Sequence, residues 1–566
     1  MKRLLFSCPE NFAEPEMLRA IHVIALDGAI HPADVTLRGH VLEVLVPDID
    51  NIRVCIPWTI PGITHQLITT GTLMLTDIPY HLSVELARGL CNAIRNLAAD
   101  WELLGLKPSE KYQEHMLQAG HCLIKAALLA HDTAEWNAKV DDLANISMQF
   151  SSKAEMLLLR GYTERILQLR QSACNSQEST QELRKLENMQ AKLEQNVLLN
   201  DDDVSAILNH MESSQDIVLN TVDEMDFSPE DTALHSMGSL GMKQVGIATD
   251  YRPIEKELKG LFFQTFNSMT LGISWKELDA QPQLWETMQA QVRWCYSNGF
   301  PLTFGPLVNF SPEYLPKKVL DMKGNFEDIC LCVRAYVEQV VKRFRPYVGA
   351  WIATSCVNSC FALGLTVMEQ LEITAQVMQL IHELHPTSEV TTSFDQPWGD
   401  NILPAPLGAA ETASNTMSPL ECADLLLQTK LKISAFRLEF NVGYGAHATY
   451  NRHPAQWIRL LERWSLFGKP LFLSFSVPSS CNADEKARFH TAPLWDGWTP
   501  KQQTQWAAIV LPALMAKPSV AGIDWNGLRD YRTHDYPHGG LISTTGHVKK
   551  VQALLAELQK YFSNET

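Results

Sequence analysis

Short apolar and β-branched runs open the chain at Val41–Val46, Ile52–Trp58 and Leu67–Leu75, each bounded by Gly, Pro, Asp or Asn. Runs of that length and spacing predict a β-rich, sandwich-like unit over residues 1–77. Near Pro79 the period changes: Leu82, Leu86, Leu90, Ala93, Ile94, Leu97 and Trp101 recur at helical spacing. More helices are predicted around 108–131, 134–172 and 178–199, which makes residues 78–215 a helical segment. The last of these helices is mostly polar. It keeps a narrow apolar seam of Leu183, Leu186, Leu193 and Val197, and reads as a solvated insert or a helix for a partner. Residues 216–243 are acidic, are interrupted by Pro229, Gly238 and Gly241, and read as a linker.

From Gln244 a new rhythm begins, in which short apolar strands alternate with helical stretches. The strands are expected at Val245–Thr249, Phe262–Thr270, Pro301–Val308, Gly349–Val357, Glu389–Phe394, Ala435–Val442, Pro470–Val477 and Val520–Trp525. Helices such as Phe326–Phe344, Glu369–Leu384, Pro419–Lys430 and Trp457–Phe467 lie between them. Alternation of this kind signals a parallel sheet with crossover helices. Eight such units over residues 244–566 predict an α/β fold, a (β/α)8 TIM barrel. An open doubly wound sheet is the alternative, and it is the weaker one because no Gly-rich phosphate loop follows the first strand.

Composition narrows the function. The chain has 566 residues, 46% of them hydrophobic and 20% charged, ample for large cores. At roughly 150 residues per domain it should hold roughly two to four units. Its formal charge of -17 argues against nucleic-acid binding, which draws on Lys and Arg contacts to phosphate. The twelve cysteines lack zinc-ligand spacing, since neither Cys330-x-Cys332 nor Cys356-x-x-x-Cys360 has a matching second pair. Their scatter fits thiols in a reducing compartment. After Met1-Lys2-Arg3 the apolar run is far short of the roughly 7–15 residues of a secretory core. No run is long enough to span a membrane. The expectation is a cytoplasmic protein with no cofactor and no metal.

A barrel of this type carries its chemistry at the C-terminal ends of its strands. There the sequence offers Trp275 after strand two, Asn309 after strand three, Asn358 after strand four, and Asp395, Trp398 and Asp400 after strand five. Strand six holds Glu439 and Asn441, and strand eight runs into Trp525, Arg529 and Asp530. Eleven of the fourteen tryptophans fall in the barrel region. Indole faces pack on sugar C–H faces, so Trp398, Trp525 and Trp275 are candidate sugar contacts; packing at the top of the barrel is the other reading. Glycoside cleavage needs two carboxyls flanking the bond. Asp400 and Glu439, at the ends of adjacent strands, are the candidate pair, and ion pairing to arginines such as Arg452 is the alternative for each. His534-Asp535-Tyr536-Pro537-His538 is a weaker candidate for metal and more often a surface loop.

These residues carry a family likeness. Phe304-Gly305-Pro306-Leu307-Val308 with Leu315-Pro316 resembles the Gly-His-x-Leu-Val-Trp … Pro-x-Trp segment of glycoside hydrolase family 10. Tyr347-Val348-Gly349-Ala350-Trp351 resembles the start of that family's fourth strand. Ile523–Asp530, followed by Gly539-Gly540-Leu541 and Lys549, resembles its last strand and closing segment. The whole chain looks like a long, xylanase-like subgroup with a β-rich, carbohydrate-binding-module-like domain and a helical segment before the barrel. The resemblance implies hydrolysis of a β-1,4-linked polysaccharide or oligosaccharide such as xylan. The chain departs from the family at both catalytic positions. The stretch matching the acid/base site is Ser355-Cys356-Val357-Asn358-Ser359, and Phe475 falls where the nucleophile is expected. The strand-three His and Trp fall on Pro306 and Asn309. Two functions therefore stay open: a hydrolase using Asp400 and Glu439, or an inactive glycan-binding or scaffold barrel. Either takes a carbohydrate ligand, and the helical segment is a candidate surface for a protein partner.

Overall fold

The computed structural model describes residues 2–174 and 243–563, with interruptions at 11, 13–14, 26–29, 47–50, 62–64, 75, 77, 104, 132–134, 251, 403–416, 445–448 and 490–496. The helix expected over 178–199 and nearly all of the 216–243 linker lie outside the described residues.

The N-terminal strands form two four-stranded sheets. One has the order β4(Asp34–Arg38)-β5(Val41–Val46)-β1(Lys2–Ser7)-β8(Tyr80–His81). The other has the order β3(Ile30–Pro32)-β2(His22–Ile24)-β6(Arg53–Trp58)-β7(Gln66–Thr69). In β5 the leucine and valines at 42, 44 and 46 are buried while alternate positions are more open, the period-two pattern of a sheet with one covered face. After the short helix α1(Pro15–Leu18) come three long helices, α2(Leu82–Glu102), α3(Glu110–His131) and α4(Ala138–Cys174). Helix α2 buries the stripe that its spacing predicts, including Leu82, Leu86, Leu90, Ile94, Leu97 and Trp101.

The second half closes into a barrel of eight parallel strands. Around the barrel they run β9(Gln244–Thr249), β10(Ser268–Leu271), β11(Leu302–Phe304), β13(Ala350–Ile352), β15(Glu389–Asp395), β16(Ala435–Asn441), β17(Leu471–Ser476) and β18(Val520–Asn526), which pairs back to β9. β12(Val308–Asn309) and β14(Thr354–Ser355) pair with each other just beyond β11 and β13. The outer helices are α5(Lys259–Thr265), α6(Trp275–Ala280), α7(Leu284–Ser297), α8(Lys317–Leu320), α9(Phe326–Phe344), α10(Val367–Leu384), α11(Pro419–Gln428), α12(Pro454–Ser465), α13(Pro500–Ala516) and α14(Val551–Ser563). Reciprocal Ser/Thr–Glu capping boxes start α10 (Thr366, Glu369) and α11 (Ser418, Glu421).

One expected strand is corrected. Phe262–Thr270 reads as a continuous apolar run, yet its first half is the end of α5, and the strand is only Ser268–Leu271. Helical winding lets Phe262 meet Phe266, Trp294 and Phe300 on one side. A short apolar run does not by itself separate helix from strand.

The N-terminal region is fastened to the barrel by buried polar contacts. Leu67 N donates to Asn451 O (2.8 Å), which pairs β7 with the segment after β16. On α4, Glu155 accepts from the Ala455 N–H (3.0 Å) at the start of α12 and pairs with His453. Farther along α4, Tyr162 stacks on Trp101 at 3.9 Å, and its hydroxyl accepts from Lys517 (2.7 Å), which also binds Glu462 (2.9 Å).

Candidate functional site

Alternation along the barrel strands separates what lines the bore from what packs outside. On β16, Arg437, Glu439 and Asn441 face the bore, while Phe440 packs outward on Trp457 of α12 and on Phe475. On β17, Ser474 and Ser476 face in. Phe475 faces out, packing on Trp457 and on Trp506 of α13. Phe475, which the resemblance put at the nucleophile position, therefore points away from the bore, and the inward positions of β17 are serines.

The bore is closed by a charged floor. Arg437 pairs with Asp524 of β18, and both side chains are almost fully buried. Thr270 of β10 donates to Asp524 Oδ2 (2.7 Å) and accepts from Arg437 Nη2 (3.0 Å). Burial pulls the Arg437 guanidinium down to about 10, and the negative charge of Glu439 opposes that shift. Gly246 on β9 makes the floor possible, since a Cβ there would lie 2.1 Å from Asp524 Oδ1 and 2.5 Å from Ser268 Oγ. Gly246→Ala should cost about 1–3 kcal/mol in chemical denaturation, the usual range for overpacking a core. An unchanged midpoint would mean that Asp524 moves aside freely.

Glu439 stands on this floor. Its Oε1 accepts from Ser355 Oγ of β14 (2.7 Å) and from Ser393 Oγ of β15 (2.5 Å). Above it opens a cavity of about 180 Å³ at the C-terminal mouth. Asn526 shares hydrogen bonds with Ser474 (2.6 Å) and Ser476 (3.0 Å) on one wall. The Cys356 thiol on the opposite side is pushed well above its ordinary value by a hydrogen bond with Cys360, by burial, and by the charges of Asp395 and Glu439.

The upper wall comes from loops. Arg488, after β17, pairs with Asp535 (2.8 Å) and with Glu277 of α6 (2.8 Å), and lies over the Tyr314 ring at 4.7 Å. Burial works against the Arg488 charge, but Asp535, Tyr314 and Glu277 outweigh it and hold its pKa above the ordinary value. Phe489 stacks on Tyr536 at 5.0 Å. Burial raises the Tyr314 and Tyr536 phenols well above their usual range, so both are neutral hydrogen-bonding groups.

Of the residues that the sequence pointed to, Glu439, Asn309, Asn441 and Arg529 line this cavity. The others lie elsewhere. Asp400 forms a bidentate, fully buried ion pair with Arg452 (2.5 and 3.0 Å), whose guanidinium lies over Trp398 at 4.4 Å. This cluster belongs to the seam with the N-terminal sheets, where Arg452 bridges to Leu67. Asp400 is thus not among the residues that line the cavity with Glu439, and its carboxylate is committed to arginine. Asp395 is buried and accepts from Ser359 Oγ (2.6 Å), and Asn358 donates to Asp395 O (3.2 Å). Asp530 holds Lys549 (2.6 Å) and Gly540 N (2.7 Å). Trp275 is buried against Tyr336 (4.2 Å), and Trp525 is buried with its indole N–H on Gly539 O (2.9 Å). These indoles take the packing role. His534 and His538 close on the Asp484 carboxylate at 3.1 and 3.6 Å, tying the loops after β17 and β18 together.

No family model matches the chain, and no curated protein matches it. Solved structures do. Native xylanase 10B from Thermotoga maritima is 13% identical, with 56% of this chain and 95% of that chain covered and a TM-score of 0.42. A family 10 glycoside hydrolase from Paenibacillus barcinonensis is 17% identical over 57% of this chain and 96% of that one, with a TM-score of 0.41. Native xylanase10C from Cellvibrio japonicus is 13% identical over 61% and 76%, with a TM-score of 0.42. The likeness is one of barrel fold. No helix among the described residues is long and apolar enough to cross a membrane.

Sequence reasoning did not single out Ser355, Ser393, Tyr314, Arg488, Phe489 or Tyr536 as site residues. The serines carry no signal until the strands are placed in register. Tyr536 lay in a stretch noticed only for its histidines.

Proposed function

We propose that the mouth of the barrel binds a carbohydrate, and that the protein is a recognition barrel rather than a two-carboxylate hydrolase. The observation that carries this reading is the setting of Glu439. It is a carboxylate held by two serine hydroxyls, ringed by the amides of Asn309, Asn441 and Asn526, with the rings of Tyr314, Phe489 and Tyr536 on the wall. Acceptors and donors of this kind match sugar hydroxyls, and the rings match sugar C–H faces. Cleavage asks for a second carboxyl about 5–10 Å from the first and able to act as acid or base. The other carboxylates lining the cavity are Asp250, Glu277 and Asp535, and each is held in an arginine ion pair.

The test is binding and reducing-sugar release on xylans, glucans and mannans, beside Glu439→Gln. Binding without release is expected, and the variant should weaken binding roughly 10- to 100-fold, as expected for losing a hydrogen bond to a charged group. Reducing-sugar release that Glu439→Gln abolishes would overturn the reading and make Glu439 part of a hydrolytic pair.

A further inference from the structure

Two histidines meet one carboxylate next to residues that line the cavity. His534 Nε2 lies 3.1 Å and His538 Nδ1 3.6 Å from Asp484 Oδ2. Asp484 stands in the loop after β17, and both histidines stand in the loop after β18. All three side chains are largely buried, Asp484 at 3% exposure, His534 at 7% and His538 at 13%. The carboxylate is itself fixed, accepting from Lys486 N (3.1 Å) through Oδ1 and from His538 N (3.2 Å) through Oδ2.

The outer contacts of the two rings settle which nitrogens carry hydrogen. His534 Nδ1 lies 2.7 Å from Arg532 O, and His538 Nε2 lies 3.0 Å from Asn482 O. A carbonyl oxygen only accepts, so each of these ring nitrogens is the donor. A neutral imidazole has one N–H, and in each ring the carbonyl takes it. The nitrogens facing Asp484 would then carry lone pairs, set against a carboxylate oxygen that also only accepts. For His534 no hydrogen bond offsets that clash, since its Nε2 is buried and makes none among the described residues. With a second proton each ring is an imidazolium, and both contacts become attractive ion pairs. No group of three or more His, Cys, Asp or Glu among the described residues is placed to hold a metal ion, which leaves the proton as the charge that joins them.

The other charges around this triad have partners of their own. Lys549 is held by Asp530 and by His538 O, Arg488 by Asp535, and Arg532 by Glu255. Burial lowers the Lys549 ammonium, and Asp530 and Asp484 oppose that shift. Tyr444 donates to Pro537 O and is neutral, its phenol raised well above the usual range by burial and by Asp530 and Asp484. Lys486 reaches out to Tyr531 O, and Glu485 is exposed.

The triad joins two loops that supply one wall. Across the same seam Arg488 N donates to His534 O (2.7 Å), Phe489 N to Asp535 O (2.9 Å) and His534 N to Lys486 O (3.3 Å). Arg488, Phe489, Asp535 and Tyr536 line the cavity. We propose that Asp484, His534 and His538 form a pH-sensitive latch. It fastens the two loops while the histidines are protonated, and loosens them, with the wall they form, when the protons leave.

Hydrogen exchange read by mass spectrometry on the full chain tests this at about pH 5.5 and about pH 8, a span over which imidazoles in general change charge. Protection factors take out the intrinsic effect of pH on exchange. In peptides holding the Arg488, Phe489 and His534 amides, protection should be about tenfold lower at the higher pH, while β16 keeps its own. Asp484→Asn should flatten that difference to less than about twofold, because an amide N–H can donate to a neutral ring. His534→Gln, with no titrating group, should remove part of it. A difference no larger than that of β16 in the unaltered protein would overturn the latch, as would a full pH response surviving in both variants. The unaltered protein decides the matter even if neither variant folds. The measurement needs no ligand, so its failure and the failure of the carbohydrate reading are separate results.

Discussion

Asp400→Ala should destabilise the protein by about 3–5 kcal/mol while leaving carbohydrate binding in place. The variant strands Arg452 in a buried site with no counter-charge, and removing one member of a buried pair costs about that much. The side chains of this pair are 1% and 3% exposed, so solvent cannot take over the lost contact. Adding Arg452→Met should recover part of the loss, because the uncompensated charge is gone. Chemical denaturation of the two single variants and the double variant measures all three values. A stable Asp400→Ala protein that no longer binds sugar would return Asp400 to the site and refute its placement in the seam.

Glu462→Ala should have an effect of similar size, about 3–5 kcal/mol, for a related reason. Lys517 is almost fully buried, and Glu462 is its ionic partner, at 2.9 Å. Tyr162 on α4 belongs to the same cluster, so the loss is shared between the N-terminal helices and the barrel. Helical signal and tryptophan fluorescence should therefore fall together, in one transition at lower denaturant. Two separated transitions, with only one of them moved, would show that the halves unfold independently.

Much of the fold is legible in the sequence because strands and helices alternate with distinct periods. What periodicity does not reveal is which side of a doubly buried strand faces the bore. Such strands read as continuous apolar runs, so the run alone does not tell that Phe475 packs away from the bore or that Trp525 is buried on Gly539 O. β16 is the informative exception. Its Arg437-x-Glu439-x-Asn441 alternation reports the bore-facing set directly, and Glu439 and Asn441 come from there. Asp400 and Arg452 are 52 residues apart and meet because they follow the neighbouring strands β15 and β16, at the place where Leu67 of β7 bridges to Arg452. Arg488 and Tyr314 were hidden because they are loop residues whose partners are distant in the sequence.

The buried Arg437–Asp524 floor also constrains which residue can stand at position 246. A side chain there would meet the Asp524 carboxylate, so whatever displaces that carboxylate also takes the counter-charge away from Arg437.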